Sequence, residues 1–115
     1  MVRMVNDKKM EILFRKAVSL LFPELPKTDP RFMEVVDYAK KIYYKRPEVH
    51  ICVLCAILGE SKIFYEFHYF CKRIGLNPGR REVIISDRNL FYTDNYSNWP
   101  TEVDFSLNED RLLLF

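Results

Sequence analysis

Two stretches near the amino terminus carry apolar residues at the spacing of one helical face. Between Asp7 and Phe22 the apolar positions are Met10, Leu13, Phe14, Ala17, Leu20 and Leu21. The second face consists of Phe32, Val35, Val36, Ala39, Ile42 and Tyr43. Pro23 ends the first helix, and the second begins at Pro30 behind a Thr28 or Asp29 cap and ends before Pro47. The pattern predicts two amphipathic helices.

A third and a fourth helix are predicted from the next part of the chain. From Ile51 to Leu58 every residue is apolar or Cys, which predicts a buried central helix that begins at Pro47. After a short turn at Gly59, the fourth helix ends at Gly75, and its predicted inner face is Ile63, Phe67, Phe70, Cys71 and Ile74.

The periodicity changes from 3.6 to 2 after Gly79. Strands are predicted from Glu82 to Ser86 and from Leu90 to Thr93, joined by the turn at residues 87–89. A third strand is predicted from Glu102 to Leu107. The last five residues, 111–115, fit either a final strand or an apolar tail that docks on a partner.

These elements predict an α+β fold with four helices followed by a small antiparallel sheet. Two helices, a short turn and a hairpin also have the chain order of a winged helix-turn-helix, with Arg88 at the tip of the wing. The 115 residues suffice for one domain, in which residues 1–78 are helical and 79–115 are β-rich.

The composition narrows the class of protein further. The longest apolar run is far shorter than the roughly 20 residues of a membrane span, so no membrane contact is expected. Three Cys cannot all pair within one chain, and no secretory segment is visible at the amino terminus. An intracellular protein, cytoplasmic or nuclear, is the resulting expectation.

Charge divides the chain into two unlike parts. Residues 1–81 hold 16 Lys and Arg against 9 Asp and Glu, whereas residues 82–115 hold 2 against 7. This asymmetry fits a basic surface for a polyanion, and it equally fits two parts of one domain that attract each other.

Cysteines and histidines form the pattern C-x2-C-x12-H-x2-C, with Cys52, Cys55, His68 and Cys71, and His50 lies close to it. Such spacing is found in zinc sites. If the pairs lie on two antiparallel helices, however, Cys55 and Cys71 are separated by about 10 Å along the axis. Core packing of free thiols is therefore the preferred interpretation, and no metal is predicted.

Basic residues lie beside tyrosines at the ends of two predicted helices and near the hairpin. Cations in such clusters can neutralise phosphates, and tyrosines can stack on unpaired bases. The same cations could simply complement helix dipoles. The predicted nucleic-acid contacts are Lys40, Lys41, Tyr44, Lys45, Arg46, Lys72, Arg73, Arg80, Arg81 and Arg88.

A polar and aromatic loop, residues 94–101, contains the only Trp of the chain. Exposed Trp and Tyr side chains are effective interface anchors. Trp99 fits this role, and it equally fits a lid over one edge of the sheet. The predicted partner contacts are Tyr96, Trp99, Leu112, Leu113, Leu114 and Phe115.

No sequence motif of nucleophilic, phosphate-binding or metalloprotease chemistry occurs in the chain. We therefore expect a non-enzymatic binding subunit, without a cofactor, in a larger assembly that contains DNA or RNA. The alternative is a protein-protein adaptor that docks through Trp99 and the carboxyl-terminal tail. A small zinc-binding module is a third, weaker interpretation.

Overall fold

The computed structural model describes residues 8–45, 51–52, 67, 69–86 and 88–104, and the statements below concern these residues. In chain order the elements are α1 (Lys8–Leu21), α2 (Pro30–Lys45), β1 (Ile51–Cys52), a helix α3 (residues 67 and 69–73), β2 (Glu82–Ser86), β3 (Asn89–Thr93) and β4 (Thr101–Glu102). The α+β class predicted from the periodicity is confirmed.

Helix α2 forms as its sequence predicts. The Asp29 carboxylate accepts a hydrogen bond of 2.9 Å from the Arg31 amide, which caps the helix ahead of Pro30. The predicted inner face is buried at Phe32, Val35, Val36 and Ala39, and Ile42 and Tyr43 pack partly buried against the same core.

Helix α1 buries a wider face than the spacing alone predicts. Ile12 and Val18 are buried in addition to the predicted stripe, while Leu20 is only partly buried. The reason is that α1 contacts α2 and also strands β2 and β3. A helix between two layers must bury more than one stripe.

The sheet is antiparallel, in the order β1-β2-β3-β4. In its central hairpin Glu82 pairs with Thr93 and Ser86 with Asn89, so the predicted strands are confirmed. Val83, Ile85 and Leu90 are buried in the core shared with the helices. The third predicted strand is found only as Thr101–Glu102, and residues 105–107 and 111–115 lie outside the described part.

The prediction of four helices is wrong. The described residues contain three helices, and Ile51–Cys52, assigned by the sequence pattern to a central helix, form strand β1. Ile51 pairs with Ile85 and Cys52 with Ile84 in β2. A short apolar run fits a buried strand as well as a buried helix. The helix from Pro47 to Leu58 that the predicted helix-turn-helix requires is therefore not formed at Ile51–Cys52, and the rest of that segment lies outside the described residues.

The predicted end of α3 at Gly75 is confirmed. The Leu76 amide donates to the Cys71 carbonyl at 2.9 Å, and the Gly75 amide donates to the Lys72 carbonyl at 3.0 Å. Gly75 has a φ of 81°, so the helix ends in a Schellman motif that places a glycine in the left-handed region. This turn directs the chain toward β2.

None of the helices in the described residues is both long enough and apolar enough to cross a bilayer.

Candidate nucleic-acid interface

Several of the predicted cationic side chains form ion pairs or hydrogen bonds with other residues of the protein. Lys40 forms an ion pair with Glu11, which also accepts a bond of 2.8 Å from Arg15. Partial burial raises the pKa of Glu11, but the hydrogen bonds and charges of Lys40 and Arg15 outweigh it and hold the pKa below its ordinary value. Lys40 thus joins α2 to α1.

Arg81 is also used within the fold. Its Nη1 donates to the Leu21 carbonyl at 3.3 Å and to the Pro78 carbonyl at 3.2 Å. Leu21 is the last residue of α1, so the guanidinium lies where the helix leaves carbonyls without intrahelical partners. Half-buried there, Arg81 is poorly placed for a phosphate on the open surface.

Other predicted cations have no such internal role. Lys41 on α2 and Lys72 and Arg73 on α3 are exposed. None of the three side chains forms an ion pair or a hydrogen bond within the described part of the chain. Lys72 and Arg73 are neighbours in the last turn of α3, and both charges are available to an external phosphate.

Tyr69 adds an aromatic ring to this end of α3. Its side chain is 65% exposed, and the Arg73 guanidinium lies over the ring at 5.9 Å from its centroid. Tyr69 and Arg73 are four residues apart, which puts them on one side of the helix. The sequence-based assignment omitted Tyr69, although its spacing from Lys72 and Arg73 carried the signal.

Arg80 connects the turn after α3 to the aromatic loop. Its guanidinium lies 4.4 Å from the centroid of the Tyr96 ring, and its Nη1 donates to the Tyr96 hydroxyl at 3.2 Å. Its Nε donates to Asn95 Oδ1 at 3.2 Å, and its carbonyl accepts from the Tyr96 amide at 2.8 Å. Nη2 has no hydrogen-bond partner among the residues described.

Asn95 organises the same loop, a role the sequence did not reveal. Its Oδ1 also accepts from the Ser97 amide at 3.0 Å and from the Ser97 hydroxyl at 2.7 Å. Its backbone carbonyl accepts from the Thr93 hydroxyl at 2.9 Å and from the Asn98 amide at 2.8 Å. These bonds fix residues 93–98 in one conformation.

Trp99 follows this fixed segment and is 88% exposed. Of the two interpretations of Trp99, the structure therefore excludes the lid over the sheet and retains the exposed aromatic side chain. Tyr96, its neighbour in the loop, is 37% exposed.

The remaining predicted contacts are less informative. Tyr44 is 47% exposed and packs against the rings of Phe14 and Tyr43. Arg88 is exposed at the hairpin tip with a φ of 67°. Lys45 ends α2 and its side chain is not described, and Arg46, Leu112, Leu113, Leu114 and Phe115 lie outside the described residues.

The thiol of Cys71 belongs to the core. It is fully buried, and burial raises its pKa to about 12. No group of three or more metal-ligating side chains occurs in the ranges that the structure covers. The helical placement of Cys52 used against a zinc site is wrong, and Cys55, His50 and His68 lie outside those ranges.

The described geometry stacks Arg80 on Tyr96, three residues before the exposed Trp99, and places the Arg73 guanidinium over the Tyr69 ring at the end of α3. Lys40 and Arg81 are instead bonded within the fold. Comparison with family models, curated proteins and solved structures found no match to this chain.

Proposed function

We propose that this chain binds single-stranded nucleic acid as a non-enzymatic subunit of a larger assembly. The contact residues would be Tyr69, Lys72, Arg73, Arg80, Tyr96 and Trp99, which we call the arginine–aromatic set. The observation that carries the proposal is the stacking of Arg80 on Tyr96, three residues before an exposed Trp99.

Unpaired bases suit this set because each has a face that stacks on an aromatic ring. The loop from Thr93 to Asn98 is held by its own hydrogen bonds, so presenting Trp99 to a base costs little conformational entropy. Lys72, Arg73 and Nη2 of Arg80 supply donors for phosphates. Stacking and charge would then both contribute to binding of one strand.

The distribution of charge supports the same proposal. The excess of cations lies in residues 1–81, which include Lys72, Arg73 and Arg80. Lys72 and Arg73 also lie at the carboxyl end of a helix, where positive charge is compatible with the helix dipole. The protein can therefore fold with both charges exposed before any nucleic acid binds.

The first test is the salt dependence of binding to a labelled uridine 15-mer, measured by fluorescence anisotropy. Three neutralised phosphates predict a log-log slope of about −2, since each contributes roughly −0.7 on a single strand. Quenching of Trp99 emission during the titration is expected if a base stacks on it. A slope near zero would contradict the proposal.

The second test separates charge from stacking. Replacing Lys72 and Arg73 together by Glu should abolish binding and lower the melting temperature only slightly, because both side chains are exposed and only their interactions with the helix dipole and the Tyr69 ring are lost. Lys41→Glu on α2 is the matched control. Trp99→Ala should cost about 1 to 3 kcal/mol of binding free energy, and Trp99→Phe should restore part of it.

A second candidate function is docking on a protein. It is favoured by three exposed carboxylates that flank the aromatic loop, Asp94, Glu102 and Asp104, which would repel a phosphate backbone. Trp, Tyr and Arg are also the residue types enriched in protein hot spots.

The two functions differ in their response to the variants. A protein partner that docks on the loop should be lost with Trp99→Ala, retained when Lys72 and Arg73 are changed to Glu, and nearly insensitive to salt. Co-purification with and without nuclease, followed by these variants, decides between them.

A further inference from the structure

A cleft of about 460 Å³ lies between the α1–α2 connection and the turn that follows α3. One wall is formed by residues 22–26, and the opposite wall by residues 75–77. Arg31 and Arg81 both line it. Its volume is within the roughly 300 to 1,000 Å³ typical of small-ligand sites. It does not include any member of the arginine–aromatic set.

Arg31 is held in place by hydrogen bonds, and the Asp29 carboxylate neutralises its charge. Its Nη2 donates to Asp29 Oδ2 at 2.9 Å, its Nε lies within 3.2 and 3.3 Å of the two carboxylate oxygens, and its Nη1 donates to the Ile74 carbonyl at 3.2 Å. The hydrogen bond from Arg31 also holds the pKa of Asp29 below its ordinary value. Arg31 therefore shapes the cleft without leaving a net charge in it.

Arg81 differs from Arg31 because no carboxylate of the described residues pairs with it. Nη1 is occupied by two backbone carbonyls, while Nε and Nη2 have no hydrogen-bond partner in the described residues. A half-buried guanidinium without a counter-ion favours an anion from outside. The Nδ2 amide of Asn77 is a second donor, and it has no partner in the described residues. The Oδ1 of the same side chain accepts a hydrogen bond from the Gly79 amide at 2.9 Å, which orients the side chain.

The charge of Arg81 and the apolar residues of the cleft walls indicate which class of ligand fits. One uncompensated guanidinium matches one negative charge, and the exposed carboxylate of Glu24 on the same lining disfavours a second one. Phe22, Leu25 and Leu76 supply apolar surface beside the arginine. We propose that this cleft binds an organic monocarboxylate with an apolar substituent, with Arg81 receiving the carboxylate. A small acid and the carboxyl terminus of a peptide share this chemistry.

The test is an NMR titration of the full chain with N-acetyl-leucine. We expect saturable shifts at the Arg81 Nε–H, the Asn77 side-chain amide and the backbone amides of Gly75 and Leu76. N-acetyl-leucinamide, which lacks the charge, and acetate, which lacks the apolar body, should each bind at least tenfold more weakly. Inorganic phosphate should also bind more weakly.

Equal binding of the amide, of acetate or of phosphate would overturn the proposal. So would the lack of saturable shifts up to about 20 mM, since a specific site of this size should reach the millimolar range. A pentapeptide that ends in leucine identifies the source: tenfold tighter binding than N-acetyl-leucine indicates a peptide carboxyl terminus, and equal binding indicates a small acid.

Surface variants show whether a change in ligand binding comes from the cleft or from a loss of folded protein. Arg81→Gln should weaken N-acetyl-leucine binding at least tenfold, but it also removes bonds that hold α1. Glu24→Lys changes an exposed side chain and should tighten binding on the order of threefold at low salt. Lys41→Gln, ten residues beyond Arg31 on α2 and not among the lining residues, should change nothing. Unchanged or weaker binding by Glu24→Lys would overturn the proposal.

Discussion

At the scale of single residues, the structure separates exposed charges from those that hold elements together. Lys40 and Arg81 look like surface cations in the sequence but contact Glu11 and the Leu21 carbonyl. The side chains of Lys72 and Arg73 form no ion pair or hydrogen bond in the part described, and Arg73 contacts only the exposed Tyr69 ring, so substitution there should affect binding far more than stability. The ion pair of Glu11 and the thiol of Cys71 allow direct tests.

Glu11 should make stability depend on pH in the acid range. Because its pKa is lowered by folding, its contribution is complete above the unfolded value near 4.3 and is lost as the pH falls through the folded value. Glu11→Gln should therefore lower the free energy of unfolding by about 0.5 to 1 kcal/mol at pH 7, since the pair is partly exposed. Urea denaturation at pH 7 and pH 3 measures the difference, which should be smaller at pH 3 than at pH 7.

Cys71 should react with thiol reagents only when the core opens. Its raised pKa leaves almost no thiolate at pH 8, and the side chain is inaccessible. In a variant with Cys52 and Cys55 replaced by Ser, labelling by a disulfide reagent should be slow and should accelerate at the urea midpoint. Rapid labelling of the folded variant would contradict the buried position.

At the scale of elements, the local signals were sufficient wherever an element is defined by its own sequence. Asp29 and Pro30 begin α2, Gly75 ends α3, and the alternation of Val83 and Ile85 defines β2. Strand β1 was missed because Ile51–Cys52 is a strand only by virtue of its pairing with β2. Periodicity within a segment contains no information about a partner more than thirty residues away.

The β2–β3 hairpin makes a prediction at the same scale. Arg88 has a φ of 67°, a left-handed conformation that costs a residue with a Cβ about 1 to 2 kcal/mol. Arg88→Gly should therefore raise the melting temperature, while Arg88→Val should lower it, because a β-branched residue tolerates this conformation worst. Thermal unfolding followed by circular dichroism gives the order Gly, Arg, Val. The reverse order for Gly and Val would contradict the strained turn.

At the scale of the whole molecule, the helices and the hairpin share a single core. Phe14 of α1, Val35 of α2, Phe67 of α3 and Leu90 of β3 belong to the same buried cluster. The sequence identified most of these residues but not two features that arise only when distant segments meet. One is the burial of Glu82, which is 1% exposed although it follows two arginines. The other is the cleft, whose walls are about fifty residues apart in the chain.

A shared core predicts that the described elements unfold together. Far-ultraviolet circular dichroism, which follows the helices, and the near-ultraviolet signal of the partly buried tyrosines Tyr38, Tyr43 and Tyr92 should give one common midpoint in urea. Trp99 emission should hardly change in the same experiment, because the side chain is already in water. Separate midpoints for the two circular dichroism signals would show that helices and sheet are independent units.

The two cleft arginines also have a consequence for the order in which the chain folds. The bond from Arg31 to Ile74 joins residues 43 apart, and it lies inside the bond from Arg81 to Leu21, which joins residues 60 apart. Once the inner bond has formed, the outer loop is shortened to about 18 residues, and its closure entropy falls by roughly 1 kcal/mol. The contacts are nested, so the inner one makes the outer one easier to form. Mutations at Arg31 should therefore slow folding more than mutations at Arg81, which should mainly accelerate unfolding.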